Sequence, residues 1–209
     1  MRTLIFDFDG TIADSFELAY EIASGLTDTS HIDDAELERL RHMSLRKVIA
    51  ELKVPVYRLP KLVLRGRQLM HERIHEVHPF PGIPEVLQSL HADPENHMLV
   101  ISSNSEQNVR TFLRANNLEP YFDGVYGGAG LFNKATALRR VIRRNRIDTS
   151  TCFYIGDEVR DVIAATKVKI EPVSVTWGYQ AAEALVKQHP FAVVKDPPEL
   201  LEVFGSDKV

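Results

Sequence analysis

Asp7 and Asp9 stand one residue apart at the end of an apolar run, in Thr3-Leu4-Ile5-Phe6-Asp7-Phe8-Asp9-Gly10-Thr11. A buried strand should not end in two carboxylates, because desolvating unpaired charge is expensive. Its carboxyl edge can hold them where that edge faces a cation or a reacting group, which is where open parallel sheets bind ligands. Gly10 lets the backbone turn away sharply and approach a ligand closely. Taken alone, the segment also fits an Asp-Gly turn closing an ordinary strand.

Three further segments add chemistry of the same kind. His97-Met98-Leu99-Val100-Ile101 runs into Ser102, Ser103, Asn104 and Ser105, and Ser105 is placed to cap a helix carrying Val109, Phe112 and Leu113 at helical spacing. Hydroxyls and amides before a helix bind phosphate oxygens or simply cap the helix. Lys134 follows the stretch Gly127-Gly128-Ala129-Gly130 and opens a helix against its macrodipole, a conflict that a nearby anion would resolve. Thr151-Cys152-Phe153-Tyr154-Ile155-Gly156 ends at Asp157, with Asp161 on the helix that begins just after it, so both acids can face one mouth of the sheet. Helix capping explains one such acid. It does not explain Asp7, Asp9, Asp157, Asp161, Lys134 and a hydroxyl recurring at the ends of separate strands.

Taken in this order, these blocks resemble the haloacid dehalogenase-like superfamily of phosphohydrolases, nearest to phosphoglycolate-phosphatase-like members with a helical cap. Pro79-Phe80-Pro81-Gly82-Ile83-Pro84-Glu85-Val86-Leu87 also resembles the segment where such chains re-enter the core. The resemblance implies an α/β fold: a Rossmann-like three-layer α/β/α core with a parallel sheet, residues 1–13 and 79–209, and a small all-helical cap domain inserted after the first strand, residues 14–78. It implies that Asp7 is the nucleophile, that Asp9 protonates the leaving oxygen, that Lys134 balances charge, and that Asp161 orients a ligand, water or Lys134. Mg²⁺ is the implied cofactor, held by the Asp7 carboxylate, the Asp9 carbonyl and the Asp157 carboxylate. Ser103 and Asn104 would bind the phosphoryl oxygens and Thr11 would support the loop, with Ser102 as the alternative hydroxyl. Asp9 favours phosphate esters over carbon–halogen bonds, since a halide leaves without a proton.

Those groups need elements to position them. Helical period dominates from Asp14 to about His78, with amphipathic segments at Leu18 to Leu26, Ala35 to Met43, Leu45 to Leu52 and Leu59 to Ile74. Beyond Pro79, helical and β-rich segments alternate, with later strands expected at Gly124 to Tyr126, Thr151 to Ile155, Pro172 to Thr176 and Ala192 to Val194. The last residues, Gly205 to Val209, are expected to fray. The cap is basic from Arg39 to Arg73, and the resemblance implies that Met43-Ser44-Leu45-Arg46-Lys47 is the specificity segment, since it falls where related caps carry one, with Arg46 as its substrate contact. Most of the other basic residues there, the run Arg139, Arg140, Arg143, Arg144 and Arg146, and the trio His71, His75 and His78 read as solvated helix faces.

A chain of 209 residues can bury one good core plus a small appended domain. Its net charge of -4 argues against a nucleic-acid partner, and no apolar run reaches membrane-spanning length. Cys152 is the single cysteine, which forbids an intrachain disulfide and fits a reducing compartment, so the expected location is the cytoplasm. The expected partner is a small phosphorylated metabolite, with the protein a monomer or weak homodimer. Two other readings stay open: a phosphosugar mutase using the same two aspartates, and a phospho-accepting signalling module, which the cap-sized insertion and Asp9 disfavour.

Overall fold

In the computed structural model, which describes residues 1–27, 33–130 and 133–205, the N-terminal run forms β1 (Arg2–Phe6). A short strand β2 (Ala13–Asp14) leads into four helices, α1 (Phe16–Thr27), α2 (Asp34–Arg41), α3 (Leu45–Glu51) and α4 (Leu59–Arg73). The chain then returns through β3 (His78–Pro79), which lies antiparallel against β2. From there strands and helices alternate: α5 (Ile83–Ala92), β4 (Asn96–Ile101), α6 (Glu106–Ala115), β5 (Gly124–Tyr126), α7 (Lys134–Asn145), β6 (Cys152–Gly156), α8 (Val159–Val168), β7 (Glu171–Val175), α9 (Ala182–Val186), β8 (Ala192–Val194) and α10 (Glu199–Phe204). Leu131 and Phe132, just before Lys134, and the expected fraying beyond Gly205 lie outside the described residues.

The six longer strands form one parallel sheet in the order β5-β4-β1-β6-β7-β8. β1 sits at the centre with Phe6 paired to Val100 on one side and Ile155 on the other. The chain builds outward from β1 first toward β5 and then, after reversing, toward β8. That reversal makes the carboxyl end of β1 the crevice where such sheets take ligands.

Period-two burial explains the layers. Leu4 and Phe6 point to one face, packing with Leu87, Val109, Phe112 and Phe204. Ile5 points to the other, with Leu99, Tyr154, Leu138, Val141 and Ala165. Both faces of β1 are dry, so the strand reads as a continuous apolar run rather than an alternating one. Cys152 is buried in the second layer, and burial pushes its thiol up to about 12, which leaves it unreactive.

Local signals set the element boundaries. The Ser105 side chain accepts from Asn108 N at 3.1 Å and caps α6, as its sequence position predicted. Glu158 and Asp161 form a reciprocal capping box at the start of α8. The four expected helices between Asp14 and His78 all form, and no described helix is long and apolar enough to cross a membrane.

Candidate active site

Asp7 continues the ladder one residue past β1, its N–H donating to the Ile155 carbonyl at 2.8 Å. The carboxylate therefore leaves the sheet edge in a fixed direction and is 1% exposed. Oδ1 accepts from the Phe8 N–H at 2.8 Å, and Oδ2 accepts from Lys134 Nζ at 2.5 Å. The same ammonium donates to Asp161 Oδ1, while Asp161 Oδ2 accepts from the Glu158 N–H at 3.1 Å. Asp161 thus serves α8 with one oxygen and Lys134 with the other. Here lies the reason that Lys134 opens a helix against its dipole: two buried carboxylates meet it there.

Asp157 follows β6 and is wholly buried. Its Oδ1 accepts from Thr11 Oγ1 at 3.0 Å and its Oδ2 from the Tyr179 N–H at 2.8 Å. Carboxylate oxygens of Asp7, Asp157 and Asp161 all lie within 4.8 Å of one another. Burial is the main force on Asp7 and raises its pKa to about 7, with Asp161 adding to the rise and Lys134 opposing it. Burial likewise holds Asp157 well above the usual carboxylate range, helped by the charges of Glu158, Asp161 and Asp7. Desolvation alone would lower Lys134, but Asp161 and Asp7 reverse this and leave its pKa raised. Lys134 balances part of this charge, and the three carboxylates could also hold a metal ion. Their hard oxygen donors fit the Mg²⁺ implied by the sequence, and among the described residues no histidine or cysteine joins the group.

Asp9 is held apart from this cluster. Ser15 Oγ donates to Asp9 Oδ1 at 2.9 Å, and Asn104 Nδ2 approaches Oδ2 at 3.1 Å. Burial raises its pKa against these two hydrogen bonds. The Asn104 amide cannot flip without loss, because its Oδ1 already accepts from Ser105 N and Asn108 Nδ2, at 2.8 and 2.9 Å. Asp9, Ser103, Asn104, Arg67 and Arg160 line the core end of a cavity of about 450 Å³ that extends between the helices of the insertion. Ser102, by contrast, is buried and accepts from the Asn104 N–H at 2.9 Å, so Ser103 is the hydroxyl that faces the cavity.

Gly10 is required where it stands. Its φ is +77°, and a Cβ there would fall on the Asp157 carboxylate and the Tyr179 ring. Gly10→Ala is expected to cost upward of about 1 kcal/mol in stability from the backbone term alone. It is also expected to displace Asp157, which titration calorimetry would read as weaker Mg²⁺ binding than wild type.

The chain has relatives of known family. The model of the family described as haloacid dehalogenase-like hydrolase matches residues 4–175. The chain belongs to that family. Among its relatives is a phosphoglycolate phosphatase from Synechococcus elongatus, 31% identical over 205 residues, covering 97% of this chain and 96% of that one. A 5'-nucleotidase from Pseudomonas aeruginosa is 24% identical, covering 97% and 95%. A predicted phosphatase from Clostridium acetobutylicum shares the fold with a TM-score of 0.82 at 22% identity, covering 97% of each chain.

In this haloacid dehalogenase-like hydrolase, Asp7, Asp9, Thr11, Ser103, Asn104, Lys134, Asp157 and Asp161 all converge on the carboxyl edge of the sheet. Arg46 does not join them: it is exposed on α3 and does not line the cavity. Part of the basic insertion is ion-paired within the insertion: Arg39 with Glu36 and Glu51, Arg41 with Glu38, and Arg73 with Glu21 and Glu76. Arg41 and Arg67 are the arginines of the insertion that line the cavity. Arg67 donates to the Ser103 carbonyl, and Arg41 Nε and Nη2 donate to the carbonyls of Tyr179 and Gly178, each at 3.0 Å. Sequence reasoning missed Ser15, Arg41, Arg67, Asn108, Arg160 and Tyr179. One signal was available for Tyr179, which follows a buried strand at the ligand-binding edge.

Proposed function

We propose that this phosphatase hydrolyses a small phosphorylated metabolite, a phosphoglycolate-like or sugar-phosphate-like phosphomonoester, with Mg²⁺ and through an aspartyl-phosphate on Asp7. The observation that carries this reading is Asp9, a second carboxylate kept out of the ion-paired cluster, half-buried, and lining the cavity. A phosphate ester needs a proton on its departing oxygen, and a carboxyl with a raised pKa can supply one.

Asp7 attacks phosphorus, forming a bond from its carboxylate oxygen as the ester P–O bond breaks, and Asp9 gives its proton to the leaving alcohol. Asp9 then takes a proton from water as the water oxygen bonds to phosphorus and the Asp7–phosphorus link breaks, which restores both carboxyl groups. Lys134 stays charged beside Asp7 and offsets negative charge on the transferred group. Ser103 and Asn104 bind its non-bridging oxygens, Thr11 keeps Asp157 aimed, and Asp161 keeps Lys134 aimed. The Asp7 and Asp157 carboxylates and the Asp9 carbonyl would hold Mg²⁺, which when bound neutralises phosphoryl charge and orients the group for in-line attack. Residues 14–78 act as a cap domain over a core made of 1–13 and 79–209. The protein works in the cytoplasm as a monomer or weak homodimer, without a nucleic-acid or membrane partner.

The test is phosphate release from a panel of small phosphomonoesters with Mg²⁺ and with chelator, scored also for rearranged phosphosugars. Release that requires Mg²⁺ is expected; rearrangement without release would mark a mutase, and no turnover would overturn the reading. Mg²⁺ is also expected to raise the melting temperature, more at pH 8 than at pH 5.5. Asp7 titrates near 7 in the fold against an ordinary 3.8, so the metal-free protein loses stability as pH rises through that window. Bound Mg²⁺ recovers that loss only where the ligands are deprotonated.

A further inference from the structure

The loop after β7 touches both halves of the site and is itself held by the helical insertion. At one residue, Tyr179, three contacts converge. Its backbone N–H donates to Asp157 Oδ2 at 2.8 Å. Its hydroxyl is 2.9 Å from Ser15 Oγ, and Ser15 in turn donates to Asp9 Oδ1. Its carbonyl accepts from Arg41 Nε at 3.0 Å. The Ser15 hydroxyl has one proton and gives it to Asp9, so it accepts from the Tyr179 O–H. A directed chain therefore runs from Tyr179 through Ser15 to the carboxyl that faces the cavity.

Arg41 closes the arrangement from the other side. Its second donor reaches the Gly178 carbonyl at 3.0 Å, its guanidinium lies 5.4 Å from the Phe16 ring centroid, and Phe16 packs edge-to-face on Tyr179 at 5.2 Å. Two more hydrogen bonds tie the same segments together: Ala181 N–H to the Arg41 carbonyl at 3.2 Å, and Gln180 Nε2 to the Met43 carbonyl at 2.6 Å. Gly178 allows no side chain, since a Cβ there would meet the Gly10 carbonyl and Asp157. The loop therefore has little freedom to reach the same position by another path.

We propose that Tyr179 is a positioning residue that fixes Asp9 through Ser15 and Asp157 through its backbone, and that Arg41 of the insertion is the latch that holds Tyr179 in place. Only a closed insertion then presents a correctly aimed proton donor, which ties protonation of the leaving group to enclosure of the substrate. The inference rests on the phosphatase reading and adds to it the residues that aim its acid.

The test compares two esters in saturating Mg²⁺. An alkyl phosphate needs its leaving oxygen protonated, whereas 2,4-dinitrophenyl phosphate departs without a proton. Tyr179→Phe is expected to lower kcat on the alkyl ester about 10-fold, a fraction of what a general acid supplies, while changing the dinitrophenyl ester less than about 2-fold. Ser15→Ala should give the same selective loss. Arg41→Ala should reproduce it and also raise the Mg²⁺ concentration needed for half-maximal rate, with partial recovery in Arg41→Lys, which keeps the charge but cannot match both donors of the guanidinium. A structural defect would depress both esters alike. Equal losses on the two esters, or none in Tyr179→Phe and Ser15→Ala, would overturn the positioning role while leaving the phosphatase reading intact. A wild type that turns over neither ester would sink both, and Ser15→Ala carries the test if Tyr179→Phe does not fold.

Discussion

Asp7→Asn is expected to lower kcat by about four orders of magnitude or more while leaving the fold in place. The substituted amide keeps the shape and the hydrogen bond from the Phe8 N–H, but it offers no anionic oxygen to phosphorus. Removing a nucleophile costs most of the chemical acceleration and leaves only what binding and charge stabilisation supply. Lys134 keeps Asp161 as its partner in the variant but loses the Asp7 oxygen, so some stability is lost while the fold is retained. Acid-quenched protein from a wild-type reaction with ³²P-labelled ester should carry label on Asp7, and the variant should carry none. Turnover persisting in Asp7→Asn, with deamidation excluded by mass, would remove Asp7 from the mechanism.

The second large effect belongs to Lys134. Lys134→Met keeps the volume and removes the charge that two buried carboxylates share. Deleting one partner of a buried ion pair strands the other, at roughly 3–5 kcal/mol. The loss is expected to be largest at pH 8 and smaller at pH 5.5. Burial already raises Asp7 to about 7 despite the lysine's opposing pull, and removing that pull raises it further. The folded carboxyl then keeps a proton that the unfolded chain gives up near 3.8, so the stability present in acid drains away as pH rises through the folded value. Denaturant unfolding at the two pH values reads this directly. A uniform loss at both would mean that the lysine acts through packing rather than charge. Activity should fall about 10²- to 10³-fold, as expected for the removal of one preorganised group that stabilises transition-state charge.

Much of this site was legible because its groups sit at strand ends. Asp7, Asp9 and Asp157 each follow an apolar run, and a charge in that position has few explanations other than a ligand. Lys134 stood out for the complementary reason, since it opposes its helix dipole until Asp7 and Asp161 are brought beside it. The sheet was equally readable, because strands buried on both faces leave continuous apolar runs. The residues that aim the chemistry left weaker traces. Tyr179 and Ser15 are uncharged, and their roles arise only when the loop after β7 folds back over the turn after β1. Asn108 sits among the apolar positions of α6 and is 1% exposed, yet its value lies in fixing the Asn104 amide and binding the Arg67 carbonyl. Arg46 was singled out because its segment falls where related caps carry a specificity loop, within a basic stretch of the chain. Which arginines of that stretch turn toward the sheet is decided by how α2 and α4 pack, and Arg41 and Arg67 are the ones that do.

The pairing of β2 with β3 has an evolutionary reading. Ala13 faces Pro79 and Asp14 faces His78, so the chain leaves the core and re-enters it through two neighbouring backbones about 4.8 Å apart. A segment whose two ends share one doorway can be lengthened, shortened or exchanged without disturbing any register in the sheet, and closing a longer loop adds little entropy cost. The exchanged segment would still have to supply the equivalents of Ser15 and Arg41, because these two reach back from it to Asp9 and to the loop at Tyr179. With both contacts kept, descendants of such a gene can inherit the reaction and acquire a new diet separately.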